Sequence, residues 1–101
     1  MQTKITLIID VPADPEAFER EFPDLLAKAR ALPGQVRLES AKVWPKEDGT
    51  PAPAHRTLDV YFDDYDAASR AVSVPEAGAF FEKLGGLGVS FTGLFCEVEE
   101  Q

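Results

Sequence analysis

The stretch Arg56-Thr57-Leu58-Asp59-Val60-Tyr61-Phe62 decides the fold. Leu58, Val60 and Phe62 point one way, and Thr57, Asp59 and Tyr61 point the other. A period of two with β-branched and aromatic residues predicts a strand with one apolar and one mixed face. The apolar face calls for a helical cover. The mixed face carries an acid and a phenol, which suits a surface that lines an enclosed space.

The segments on either side extend this pattern. Lys4 to Asp10 reads as a first strand, with Ile5, Leu7 and Ile9 on one face and Ile8 on the other, as expected of a central strand. Asp14-Pro15-Glu16 opens a helix with an N-cap, a proline at the first helical position and an acid in the first turn. Phe18, Phe22, Leu25, Ala29 and Leu32 then form one helical stripe. Pro23 is expected to kink or break that helix, and Leu32-Pro33-Gly34 to end it. Gln35 to Trp44 reads as a second strand, with Val36, Leu38 and Ser40 on one face and Arg37, Glu39, Ala41 and Val43 on the other. Pro45 to Ala54, with three prolines and Asp48-Gly49, is a long hairpin loop. The third strand starts near His55.

Asp63-Asp64 caps a helix whose small Ala67, Ala68 and Ala71 allow close approach to a sheet. Ser73-Val74-Pro75-Glu76 has capping-box spacing and restarts a helix through Ala79, Phe80, Phe81 and Leu84, which Gly85-Gly86 stops. Val89 to Glu99 is the last strand. Gly93 in its middle marks a bulge or a close approach to the backbone. Glu97, Glu99 and Glu100 are expected in solvent.

The order is βαββαβ. Right-handed crossovers then give an α+β, ferredoxin-like domain over residues 1–101, a four-stranded antiparallel sheet with strands one and three central and the helices on one face. The other face carries Ile8, Tyr61 and Leu94 and is too apolar to leave wet. A second copy of the sheet is the simplest cover, so a symmetric homodimer is expected.

Composition narrows the function. The chain has 101 residues, 45% hydrophobic and 28% charged, with 18 acidic against 10 basic residues and a net charge of -8. That acidity disfavours nucleic acid and anionic membrane surfaces. No apolar run approaches the ~20 residues of a membrane span and no signal peptide is visible, so the cytoplasm is the expected compartment. One histidine, one cysteine and scattered acids lack metal-ligand spacing. The glycines of Gly85-Gly86-Leu87-Gly88 end a helix rather than open one, the wrong polarity for a phosphate loop.

Ala29-Arg30-Ala31-Leu32-Pro33-Gly34 resembles the end of the first helix in the EthD-like family of dimeric α/β-barrel proteins. Pro51 through Phe62 resembles that family's loop and third strand. Phe62-Asp63-Asp64, Ala67-Ala68, Ser73, Pro75-Glu76 and Gly78 resemble its second helical region, and Phe95, Glu97 and Val98 its last strand. The resemblance implies a dimeric barrel with a cavity between sheet and helices or at the dimer seam. It also implies relatives linked to ether degradation, and cyclases or oxygenases acting on small apolar or polyketide-like molecules. No cofactor is expected. Active-looking members share a His-x-Pro before the Leu-Pro-Gly, and those positions here hold Leu25 and Ala27. A leucine cannot transfer a proton.

The candidate ligand-binding residues are therefore Asp59 and Tyr61, with His55 on the same face if alternation holds from residue 55, Arg37 as the partner of Asp59, and Trp44 as a cover for the pocket mouth. No catalytic residue is assigned. Cys96 is expected in the core, with no basic neighbour to activate it. Three functions compete: a non-catalytic binder of a small, largely apolar metabolite, a cofactor-free enzyme acting on such a molecule, and a structural dimer without a ligand.

Overall fold

The computed structural model describes residues 1–99. Its elements are β1 (Thr3–Ile9), α1 (Pro15–Arg30), β2 (Gln35–Lys42), β3 (Arg56–Phe62), α2 (Tyr65–Ala71), α3 (Pro75–Gly86) and β4 (Phe91–Glu97). The sheet is antiparallel with order β2-β3-β1-β4, so β1 and β3 are central. This is an α+β, ferredoxin-like arrangement, two layers and 17 Å thick at its thinnest.

Alternation decides which face the helices cover. Ile5, Leu7 and Ile9 of β1 and Leu58, Val60 and Phe62 of β3 are buried beneath them. The stripe Phe18, Phe22, Leu25 and Ala29 of α1 comes down to meet them, and Leu32, just beyond the helix, is buried too. Leu25 is 0% exposed, so its place in the core accounts for it fully.

Local chemistry sets the helix ends. The Asp14 carboxylate accepts from Ala17 N–H at 3.1 Å, and that of Asp64 from Ala67 N–H at 2.8 Å. At the far end of α1 the Gln35 amide donates to the carbonyls of Ala29 and Leu32, at 2.9 and 2.8 Å.

Some expectations are corrected. α1 runs unbroken through Pro23. The ring sits on the exposed side, where water can solvate the carbonyl that loses its partner. No capping box forms at α3, whose N-cap is Val74 without a side-chain bond. The Ser73 hydroxyl instead donates back to Ser69 O at 3.2 Å and closes α2. β2 has an irregularity at Val36: Gln35 lies opposite Phe62 but Arg37 opposite Tyr61. Val36 is thus left out of the pairing and is 50% exposed, while Leu38 faces the core opposite Val60. β4 keeps regular register through Gly93, which rules out a bulge there. Glu97 and Glu99 are exposed, and Glu100 lies outside the described residues.

Candidate functional site

The uncovered face of the sheet presents three rows across all four strands. The first is Arg37, Tyr61, Lys4 and Cys96; the second is Glu39, Asp59, Thr6 and Leu94; the third is Ala41, Thr57, Ile8 and Thr92. Asp59 and Tyr61 lie on this face, as the alternation requires. Asp59 takes its cation from β1: Lys4 Nζ is 3.3 Å away and the Thr6 hydroxyl donates at 2.5 Å. Arg37 is not its partner. The regular register of β2 from Arg37 to Lys42 sets Arg37 opposite Tyr61, where its guanidinium lies 4.5 Å from the ring centre and donates to Glu39 at 2.7 Å. Lys4 approaches the other side of the ring at 5.7 Å, so Tyr61 sits between two cations. Its hydroxyl donates to Glu39 Oε1 at 2.8 Å, which pushes the phenol above its ordinary pKa. Burial lowers the Lys4 pKa, but the Asp59 carboxylate outweighs it and leaves it raised.

His55 does not share this face. β3 begins at Arg56, and the His55 ring turns to the helices. Its Nε2 lies 3.0 Å from Glu19 Oε2, and its ring meets Phe18 edge-on at 5.3 Å. Glu19 also accepts from Arg56, at 2.8 and 2.6 Å, and lies 3.8 Å from Lys42. The bonds from Arg56 hold the Glu19 carboxyl at about 2, with His55 adding to the effect. Arg56 is 9% exposed, with its guanidinium 3.9 Å from the centre of the Phe22 ring. This knot fixes α1 to β3. The sequence held its signal: Arg56 shares the parity of Leu58, and an arginine on an apolar face needs a carboxylate.

Trp44 is 87% exposed and covers nothing on its own protomer. Cys96 is half-buried on the open face directly opposite Lys4, not in the core, so it does have a basic neighbour.

Residue patterning alone missed a further feature on β4. Every residue of this edge strand except Cys96 is exposed. Its helix-facing side carries Phe91, Gly93 and Phe95, opposite Ile9, Leu7 and Ile5. Phe95 packs on Tyr65 at the start of α2, with ring centres 5.5 Å apart. Phe91 stacks on Phe81 of α3 at 5.8 Å. The two aromatic pairs stand about 14 Å apart along the strand. Between them a side chain at Gly93 would meet only Leu7 Cδ2, at 3.4 Å. Two aromatic pairs thus flank an exposed position without a side chain, with Leu7 beneath it. Phe91, Phe95 and Tyr65 are 38%, 44% and 60% exposed. The signal was the run Phe91-Thr92-Gly93-Leu94-Phe95, in which glycine separates two phenylalanines of one parity.

A cleft of about 410 Å³ along α1 and α3 is walled by Glu21, Lys28, Glu82 and Lys83. Its lysines are engaged: Lys83 reaches Glu21 at 3.2 Å and Asp24 at 3.4 Å. Among the described residues no group of three or more His, Cys, Asp or Glu side chains is placed to hold a metal ion, and no helix is long and apolar enough to cross a membrane.

No protein-family sequence profile matches the chain, and no curated protein does. Solved structures do. An EthD family protein from Bacillus halodurans superposes with a TM-score of 0.87 at 20% identity, over 98% of this chain and 100% of that one. The fold is the same throughout. A dimeric ferredoxin-like protein of unknown function from Thermobifida fusca matches with a TM-score of 0.73 at 11% identity, covering 97% and 92%. SnoaB, a cofactor-independent oxygenase from Streptomyces nogalater, matches with a TM-score of 0.70 at 19% identity, covering 99% and 95%.

Proposed function

We propose that this chain is an EthD-like homodimer that binds a small, flat, largely apolar molecule in the slot over Gly93 and has no acid–base chemistry of its own. The observation that carries this reading is the aromatic slot. Two ring pairs with solvent-exposed members flank a position without a side chain, an arrangement suited to stacking on a planar ligand. The polar groups of the open sheet face serve the dimer instead. Asp59, Tyr61, Glu39, Arg37 and Lys4 already satisfy one another. Ile8 and Leu94 beside them supply apolar area for a second sheet. The chain's one histidine is engaged with Glu19, and Leu25 stands where the EthD-like resemblance would place the histidine of active-looking members.

The test is titration with 2-naphthol, followed by the shift of Phe and Tyr ring signals in NMR spectra. Phe95→Ala and Tyr65→Ala should each weaken binding by about 0.5–1.5 kcal/mol, the worth of an aromatic contact, and leave the fold unchanged. Binding indifferent to both substitutions would remove the slot as the site.

A further inference from the structure

We infer that the slot over Gly93 selects a cation: a planar aromatic molecule with a protonated amine on a short arm, its ammonium held at the Tyr65 end. This rests on the slot proposed above and names the charge of what it takes. The slot lies on the helix-facing side of β4, so covering the open face of the sheet leaves it accessible.

The two ends of the slot differ. At one end Phe91 stacks on Phe81, and the buried Phe80 meets Phe81 edge-on at 5.1 Å. Gly78 and Gly85, one helical turn to either side of Phe81 on α3, add no side chain there. Glu82 and Lys83 line the cleft towards α1 instead. This end is apolar.

The other end is acidic. The row Phe62, Thr3 and Glu97 closes the sheet there. Glu97 is exposed, shares the side of Gly93 and Phe95, and follows Phe95 along the strand. The step is about 7 Å. Asp63 and Asp64 lead from Phe62 into α2, and Asp66 follows Tyr65 in its first turn. The Asp64 carboxylate caps the helix through the Ala67 N–H at 2.8 Å, while Asp66 and Glu97 stand exposed.

No base offsets these acids. The sequence holds no lysine or arginine from Thr57 to Ser69, nor from Leu84 to its end. The nearest bases in sequence are turned elsewhere. Arg70 lines a cleft with Pro33 and Gly34, on the β2 side of α2. Lys83 bonds Glu21 and Asp24, and Lys4 pairs with Asp59 on the open face. An anion at the Tyr65 end would meet carboxylates alone. A cation is attracted by the carboxylates and by the aromatic rings together. Tyr65 and Phe95 are 60% and 44% exposed, so their rings are within its reach.

Three probes of one shape separate charge from stacking: 2-naphthylmethylammonium, 2-naphthol and 2-naphthoate. Each is titrated at neutral pH and followed by the Phe and Tyr ring signals. The ammonium should bind roughly tenfold more tightly than the naphthol, the worth of a cation over an aromatic ring, and naphthoate more weakly than either. Added salt should narrow the gap. In a protein carrying Asp66→Asn and Glu97→Gln, the ratio of ammonium to naphthol affinity should fall severalfold. Equal affinity for the three probes, a preference for naphthoate, or a ratio that survives both substitutions overturns the cationic reading and leaves the slot standing. Ring signals that none of the three probes moves overturn the slot together with it.

Discussion

Arg56 of β3 grips Glu19 of α1 with two hydrogen bonds, 2.8 Å from Nε and 2.6 Å from Nη2. The two residues lie 37 positions apart in the chain, and their bond docks the first helix on the central sheet. Its energetics depend on pH. The Glu19 carboxyl is lowered from 4.5 to about 2 when folded, so its stabilisation is fully present above pH 4.5 and is lost as pH falls towards 2. Melting temperature followed from pH 6 downwards should decline across that window, and Glu19→Gln should flatten the decline. At neutral pH the same substitution should cost about 1.5–3 kcal/mol, since it weakens a charge-assisted bond to a buried arginine. An unchanged urea midpoint would refute the docking role.

Leu25 belongs to the core. Leu25→Ala is expected to cost about 2–5 kcal/mol, because a fully buried side chain leaves a cavity that a two-layer domain refills poorly. Chemical denaturation of the variant measures this directly. A loss below that range would mean that the α1 stripe tolerates a void there.

The Tyr61 hydroxyl should titrate above 10.0, held protonated by Glu39. The stabilisation from this bond is present below the ordinary phenol value and is lost as pH rises through the elevated one. Absorbance titration near 295 nm, with Tyr65→Phe to leave a single tyrosine, should show a late transition that Glu39→Gln moves back. A transition at the ordinary position in both proteins would contradict the bond.

In the homodimer proposed above, with the open sheet faces packed together, Asp59→Lys should dissociate the two copies. It would place an ammonium beside Lys4, which now lies 3.3 Å from Asp59, and set like charges together in the proposed seam. Sedimentation at micromolar concentration should turn from dimer to single chains. Retention of the dimer would mean that some other surface holds it.

The sequence by itself determined the elements and their faces. Period two in β3 and the three-and-four spacing of Phe18 through Leu32 are local properties, and burial of the apolar set follows from them wherever the strand and helix lie. Element order with right-handed crossovers then left few topologies, and the central pair came out as read. What the tertiary structure decided are the relations between distant residues. The register of β2 on β3 set Arg37 against Tyr61 rather than Asp59. The strand's start at Arg56 turned His55 towards Glu19. The packing of Tyr65 and Phe81 against β4 set two aromatic pairs on either side of Gly93. Each of these depends on which strand edges and helix ends meet in space, and a local period carries no such information.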